Sequence, residues 1–461
     1  MPIGKLLIAN RGEIAVRINR AARDLGIPTV QVHSAADREM LAVKLAGESV
    51  EIGPPLAAKS YLNIDRIIEA GRSTGADAVH PGYGFLAENA AFAEAVADAG
   101  MTFVGPDAAT IRTMGDKALA RRQAELAGVA TVPGSDGVVG DISEAGKLAS
   151  EIGFPVMIKA AAGGGGRGIR VARSGDEFPT LASQASTEAL AAFGDGGIYI
   201  EKVIENARHV EVQILGDGTD SIHCWERECS IQRRRQKLWE EAPSTAIDEA
   251  TRDRLCRSAV DLAVSVGYSG AGTVEYLFDD SSNSFYFIEM NTRIQVEHPV
   301  TEMVTGLDLV AEMIRIAGGS SLRHRQDDVR RNGHAIEVRL NAEDPLNGFM
   351  PCPGTVTDIA SAGGLGVRFD HMLYRDYVVP PFYDSLLGKL IVHGETREAA
   401  LTRLARSLEE TRIEGVATTL PLFQLLLNDC DIRSNAVHTG WLEDWLGAQS
   451  NEVRKQGDTI A

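Results

Sequence analysis

The first hundred or so residues alternate short apolar runs with segments of helical periodicity, and few folds accept that order. Lys5–Asn10 is a short apolar run, and Ile14–Leu25 repeats its apolar residues at helical spacing and stops at Gly26. Thr29–His33 is a second strand, and Asp77–His80 and Met101–Val104 fit further ones. Strands separated by helices cannot close as tight hairpins, so this order implies a parallel sheet with helical crossovers. The loop His80-Pro-Gly-Tyr-Gly84 follows one of these strands, where open α/β sheets carry their ligand-binding loops.

A chain of 461 residues is too long for one compact core, and its length suggests about three domains. A new unit begins near Met114-Gly-Asp-Lys117, with a helix running through Ala127. Pro155–Ala160 and Gly168–Ala172 read as strands flanking a glycine cluster, and Ile198–Lys202 as another. From Ala207 to Glu297 the pattern is mostly strands, with one helix over Ala250–Val266. Gly333–Glu343 and Gly388–His393 are strands of a final α+β unit, with Ala399–Glu410 as its amphipathic helix. The tail after Gly447 is polar, and disorder is expected there. No internal repeat is visible.

Bulk properties exclude several function classes. A net charge of −18 argues against nucleic acid or an anionic membrane as the main partner. Five scattered cysteines without Cys-x-x-Cys spacing favour reduced thiols and a cytoplasmic location over a disulfide scaffold or zinc site. The amino-terminal apolar stretch is too short for a signal peptide, and no window approaches about 18 consecutive apolar residues, so no membrane span is expected.

The glycine cluster Gly163-Gly164-Gly165-Gly166-Arg167-Gly168 needs a backbone reason, because consecutive glycines are kept where a chain approaches a ligand closely or takes positive φ. Gly163, Gly165 and Gly168 satisfy G-x-G-x-x-G, but that fingerprint requires a helix next, and Ile169–Arg173 alternates like a strand. The cluster is therefore a hairpin tip, with Lys159 just before it able to meet phosphate oxygens. The absence of G-x-x-x-x-G-K-[ST] excludes a P-loop, and the absence of H-R-D and D-F-G excludes a protein kinase.

The densest chemistry is FIEMNTRIQVEHPVTE, between Phe287 and Glu302. Read as an extended strand, Glu289, Asn291, Arg293, Gln295 and Glu297 face one way, while Ile288, Met290, Ile294 and Val296 face a core. Gly272–Phe278 is a strand, Asp279–Asn283 a turn and Phe285–Asn291 the return, so the hairpin can set Glu275 and Glu289 on one face. Two carboxylates and the Asn291 carbonyl make a hard-oxygen site suited to Mg²⁺.

Taken together, the MGDK segment, the lysine-then-glycine loop, Glu201-Lys202 at a strand end and the paired carboxylates resemble the ATP-grasp enzymes, and more specifically biotin carboxylase. The matching runs are IANRGEIAVRI, HPGYGFLAENA, MGDKALAR, IKAAAGGGGRGIRV, RHVEVQILGD, EMNTRIQVEHPVTE and RLNAEDP, and the resemblance extends from Ile8 to about Leu446. The resemblance implies an α/β and α+β architecture of three parts. A Rossmann-like parallel sheet would occupy residues 1–114, and an ATP-grasp fold 115–330 with a mobile glycine-loop lid over about 132–203. A C-terminal α+β domain would occupy 331–447, ahead of a polar tail at 448–461.

The resemblance also implies roles. Lys117, Lys159, Gly164, Gly165, Gly166, His209 and Gln232 would contact ATP, with Glu201 and Lys202 bracketing the adenine. Glu275, Glu289 and Asn291 would hold Mg²⁺ or Mn²⁺. Lys237, Arg293, Gln295 and the Val296 backbone would bind bicarbonate, and Glu297 would remove its proton. Tyr83 and Arg339 would line the biotin pocket, Arg339 stabilising the biotin enolate. The implied activity is ATP- and bicarbonate-dependent carboxylation of biotin through carboxyphosphate. Because no Ala/Val-Met-Lys-Met segment is present, biotin is expected on a separate carrier protein. Carboxyltransferase subunits of an acetyl-CoA carboxylase serving fatty acid biosynthesis are expected as further partners. Another acyl-CoA or pyruvate carboxylase, and a different ATP-grasp ligase, are the alternatives.

Two departures from the family pattern stand out. Arg235 occupies a position that is usually His, and the cluster Arg233–Arg235 is read as turned toward the site because Lys237 follows closely and the implied substrates are anionic. Leu365 stands where an aromatic is common, in the loop Gly364–Arg368 that the family uses with the first helix to form a homodimer. His334 and His393 are expected to be structural histidines.

Overall fold

The computed structural model describes residues 2–160, 169–193 and 196–449. Its described residues divide into two compact units, the larger within 1–129, 208–276 and 289–461, the smaller within 130–207 and 277–288.

The larger unit opens with the alternating segment. Strands Leu6–Ile8, Thr29–Ser34, Glu48–Gly53, Ala78–His80 and Thr102–Phe103 form a parallel five-stranded sheet in the order third, second, first, fourth, fifth. The helix Gly12–Asp24 buries Ile14, Ala15, Val16, Ile18, Ala21 and Ala22, together with Glu13, Arg17 and Asn19. A helix buried on nearly all sides carries polar groups only if they are paired. Arg17 accordingly meets Glu302 at 2.9 Å and Asp308 at 2.6 Å.

At the carboxyl end of Ala78–His80, the loop 80–84 is pinned by Asn10, whose Nδ2 donates to the carbonyls of Pro81 (2.6 Å) and Tyr83 (2.7 Å). Gly82 sits at φ +63°, and a Cβ there would lie 2.9 Å from Asn10 Nδ2, so glycine is needed for both conformation and space.

The second sheet has eight strands, ordered Ser284–Asn291, Ser269–Asp279, Arg208–Asp217, Ser221–Arg233, Gln236–Ala242, His334–Asn341, Leu386–Gly394 and Val367–His371. Pairing is antiparallel from Arg208–Asp217 through to Val367–His371. The sheet therefore runs without a break from strands before residue 330 to strands after it. One face packs Ile336, Val338, Leu390 and Val392 against Leu401, Leu404 and Leu408 of helix Arg397–Glu410 and against Phe423. Across the sheet, Ala335, Ile391 and Ala242 receive Val300 and Val304 of helix His298–Thr305. Helix ends carry side-chain caps, with Asp116, Asp248 and Thr396 accepting from the first turns of the helices beginning at Lys117, Glu249 and Arg397.

The smaller unit holds a three-stranded sheet with Val156–Ala160 central between Ile169–Ala172 and Ile198–Lys202, both antiparallel to it. Helices Ile142–Ile152 and Phe178–Phe193 cover it, burying Ala145, Ala149, Val156, Ile158, Phe178 and Ile200. The hairpin reading of Val156–Ala172 holds, because Lys159 pairs with Ile169 in register. The glycine tip 163–168, with Gly164, Gly165 and Gly166, lies outside the described residues.

A sequence expectation about the second sheet fails. The extended ladder was to run from Phe287 to Glu297, but the strand ends at Asn291 and helix begins at His298. Thr292–Glu297 is an irregular turn, and Ile288, assigned to the core, is 37% exposed. Alternating polarity does not distinguish a strand from a turn whose backbone is held by its own side chains. Arg293 Nη1 bonds the Ile294 carbonyl at 3.1 Å, and His298 Nδ1 lies 2.7 Å from the Gln295 carbonyl.

Candidate functional site

The larger unit contains a cluster of charged side chains that are buried or nearly so, and each strand contributes to it through period-2 geometry. On Arg208–Asp217, His209, Glu211 and Gln213 point the same way. Arg227 comes from the next strand, Lys237 from Gln236–Ala242, Glu275 from Ser269–Asp279, and Arg339 from His334–Asn341. Glu297 stands at the amino-terminal end of helix His298–Thr305.

Lys237 is the hub. Its Nζ lies 2.5 Å from Glu211, 3.1 Å from Glu275 and 2.7 Å from Glu297. Glu211 is secured from behind by Arg227 Nε at 2.6 Å. Arg227 also donates to Gln213 (2.7 Å), Thr301 (3.1 Å) and Thr273 (3.0 Å), so a fully buried guanidinium is satisfied on every side. Burial is the largest influence on Glu211 and pushes its carboxyl up, but Lys237 and Arg227 outweigh it and hold the group well below the usual carboxylate range.

Glu297 is fully buried, with Oε1 on Lys237 and Oε2 2.9 Å from Arg339 Nη2. Burial again pushes its carboxyl up, and again Lys237 and Arg339 win against Glu211, leaving it below its ordinary value and ionised. Arg339 is shared with Glu240, whose Oε1 accepts from Nε at 2.7 Å. Glu240 has little else to compensate its burial, and with the Glu297 charge nearby its carboxyl is pushed up to about 7.

The segment after the strand wraps this hub. Asn291 Nδ2 and Gln295 Nε2 both donate to Glu275 Oε1 at 2.8 Å. Arg293 bonds Asn291 Oδ1 and Gln295 Oε1 at 3.1 Å each, and Glu88 at 2.9 Å. His209 Nε2 lies 3.1 Å from Glu275 and 3.3 Å from Glu211. Burial and Lys237 pull this imidazole down, but the two carboxylates prevail and raise it to about 9. Glu289, half-buried, has its carboxyl raised by burial and by the charge of Glu275. A divalent cation at these carboxylates would relieve that repulsion, while the Asn291 oxygen is taken by Arg293.

Other residues predicted for the site stand as follows. Tyr83 donates to Glu13 and lines a cleft of about 150 Å³ with Asn10, Phe85 and Leu386. The Val296 carbonyl accepts from Lys389 at 2.7 Å. Gln232 is buried and donates to the Cys229 carbonyl at 2.8 Å, while Lys117 is exposed at the first position of its helix. In the smaller unit Lys159 is paired with Glu201, and Lys202 Nζ holds the carbonyls of Gly153 (2.8 Å) and Phe154 (2.9 Å).

The Arg233–Arg235 cluster does not join the hub through any described contact. Arg233 lies over the Phe349 ring at 4.0 Å, the Arg234 backbone N–H donates to Glu443 at 2.7 Å, and the Arg234 and Arg235 side chains are exposed. The reason is local: both residues take positive φ (49° and 65°) at a two-residue hairpin tip. His334 meets Glu241 at 2.8 Å and His393 the Asn332 carbonyl at 2.8 Å, as structural histidines do.

Glu211, Arg227 and Glu240 were missed from sequence. The signal for Glu211 was available, since RHVEVQIL alternates polar and apolar residues as the 289–297 stretch does.

Comparison with known proteins matches three family models in chain order. These are "Biotin carboxylase, N-terminal domain" over 2–111, "Carbamoyl-phosphate synthase L chain, ATP binding domain" over 116–325, and "Biotin carboxylase C-terminal domain" over 337–444. A biotin carboxylase from Nostoc sp. is 54% identical over 96% of this chain and 99% of its own. A pyruvate carboxylase subunit from Methanothermobacter thermautotrophicus is 48% identical over 98% and 92%. Among solved structures, the biotin carboxylase domain dimer of Hydrogenobacter thermophilus 2-oxoglutarate carboxylase, in complex with MgADP, ADP and bicarbonate, superposes with a TM-score of 0.85. It shares 47% identity, with 96% of this chain and 98% of that one covered.

Proposed function

The chain belongs to the biotin carboxylase family and is an ATP-dependent ligase; from that premise we propose that it carboxylates biotin borne on a separate carrier protein, as the first half-reaction of acetyl-CoA carboxylase. The observation that carries the chemistry is the buried, ionised Glu297 between Lys237 and Arg339. Bicarbonate is a weak nucleophile, and a carboxylate within reach of two cations can take its proton while they absorb the negative charge left behind. Once protonated, Glu297 releases its hold on both cations, which become free to meet the anion it has created. Arg293 and Gln295 present further donors, and the Val296 backbone completes the proposed bicarbonate set.

Nucleotide contacts are proposed for Lys117, His209 and Gln232 in the larger unit and for Lys159, Glu201 and Lys202 in the smaller. Gly164–Gly166 would lie over the phosphates to keep water from carboxyphosphate. Glu275, Glu289 and Asn291 would hold Mg²⁺, which neutralises phosphate charge; Mn²⁺ has the same ligand taste. Tyr83 and Arg339 are proposed to line the biotin pocket. Carboxyltransferase subunits, a cytoplasmic location and a homodimer complete the reading. No helix among the described residues is long and apolar enough to cross a membrane. A two-component pyruvate carboxylase is the competing parent complex, favoured by the similarity to the Methanothermobacter protein.

The experiment is ADP release from the purified chain. Release should depend on bicarbonate and rise with free biotin, and loss of both dependences in protein that still binds ATP would refute the reading. Identifying the biotinylated protein that co-purifies, and its carboxyltransferase, decides between the parent complexes.

A further inference from the structure

Lys389 has no role in the assignment above, yet it has no exposed surface. Its strand, Leu386–Gly394, is otherwise apolar at this level, with Leu387, Leu390, Ile391 and Val392 all buried. An ammonium placed there costs several kcal/mol unless its contacts compensate, so those contacts need a reason. There are two. Nζ donates to the Val296 carbonyl at 2.7 Å and lies 3.0 Å from Glu13 Oε1. Glu13 is itself buried, and the same oxygen accepts from the Tyr83 hydroxyl. Its second oxygen has no hydrogen-bond partner among the described residues. Glu13 and Tyr83 both line the cleft of about 150 Å³ beside loop 80–84.

We propose that Lys389 is a positioning residue coupling the biotin pocket to the bicarbonate loop, one ammonium holding the Val296 carbonyl on one side and the Glu13–Tyr83 pair on the other. The proposal rests on the assignment of Tyr83 to biotin and of Val296 and Glu297 to bicarbonate. The Val296 carbonyl belongs to the peptide that leads into Glu297, so fixing it orients both the anion-binding backbone and the base. Thr292–Glu297 is an irregular turn, with no ladder of strand hydrogen bonds to hold that peptide. When a ligand shifts Tyr83, Glu13 and Lys389 transmit the shift, and affinity for bicarbonate changes with biotin.

The test uses the full chain with free biotin, measuring the bicarbonate KM from ADP release with and without biotin. The unaltered chain, Lys389→Met and Glu13→Gln are compared, with thermal melting as a check on folding. In the unaltered chain biotin should shift the bicarbonate KM severalfold. Both variants should raise that KM by about tenfold, the usual worth of a hydrogen bond to a charged group. Both should also abolish the shift by biotin while leaving the ATP KM unchanged. Glu13→Gln is decisive, because an amide of the same shape, with no contact to the bicarbonate residues, is then felt at bicarbonate. If Lys389→Met does not fold, Glu13→Gln alone carries the comparison. The inference is overturned if Glu13→Gln alters only the biotin KM, if the variants lower kcat with both KM values intact, or if biotin leaves the bicarbonate KM of the unaltered chain untouched. ADP release that ignores bicarbonate in the unaltered chain would instead overturn the functional reading beneath it.

Discussion

Glu297 illustrates how far a single residue can be argued. The sequence shows a carboxylate beside a guanidinium, whereas the fold shows that the cations actually touching it are Lys237 and Arg339. Glu297→Gln should keep ATP binding and lower bicarbonate-dependent turnover by about 10²-fold or more, the usual worth of a general base; near-normal turnover would remove it from that role. His80 gives a second test, on stability. It is fully buried, its Nδ1 accepts from the Gly82 N–H at 3.0 Å, and burial, with Arg17 adding to it, lowers its pKa to about 3. The unfolded chain therefore binds a proton that the folded one refuses, from the ordinary histidine value downward. Stability contributed by neutral His80 is present above about pH 6.5 and is lost as pH falls toward 3. His80→Asn, whose Oδ1 can accept the same bond, does not titrate. Between pH 7.5 and 5, denaturant unfolding should show the unaltered chain losing about 2 kcal/mol relative to this variant. An equal pH dependence in both would mean that the folded histidine charges freely.

At the level of elements, the strands and helices were legible where their periodicity was complete. Gly12–Asp24, Thr29–Ser34, Ile198–Lys202 and Glu249–Ser265 all lie close to where their patterns placed them. The polar stretch after Asn291 was not legible, because alternation survives in a turn braced by its own side chains. The hairpin between Ser221–Arg233 and Gln236–Ala242 is a further case, since Arg234 and Arg235 both adopt positive φ, which L residues with side chains resist. Arg234→Asn with Arg235→Gly supplies the residues this turn geometry prefers and should stabilise the chain by about 1 kcal/mol. A rise in melting temperature checks this, and a fall would show that the arginines make contacts worth more than the strain they bear.

For the whole molecule, the proposed homodimer makes a surface prediction. The first helix leaves Arg20, Arg23 and Asp24 exposed, and Leu365 is 92% exposed on its loop. The proposed homodimer would cover this side chain with the partner's surface. Leu365→Asp should shift the sedimentation coefficient toward that of a monomer, and an unchanged value would place the contact elsewhere. By itself the sequence determined the parallel sheet and the hairpin around the glycine cluster, which follow from local periodicity, and the family, which follows from its motifs; most of the groups that meet at the hub were named through that resemblance. Only the tertiary structure decided which charges neutralise which. Glu211, Arg227, Glu240 and Lys389 became part of the site through cross-strand register and burial. In a low-dielectric interior a charge must find its partner in space, and spacing along the chain does not say which strand will bring it.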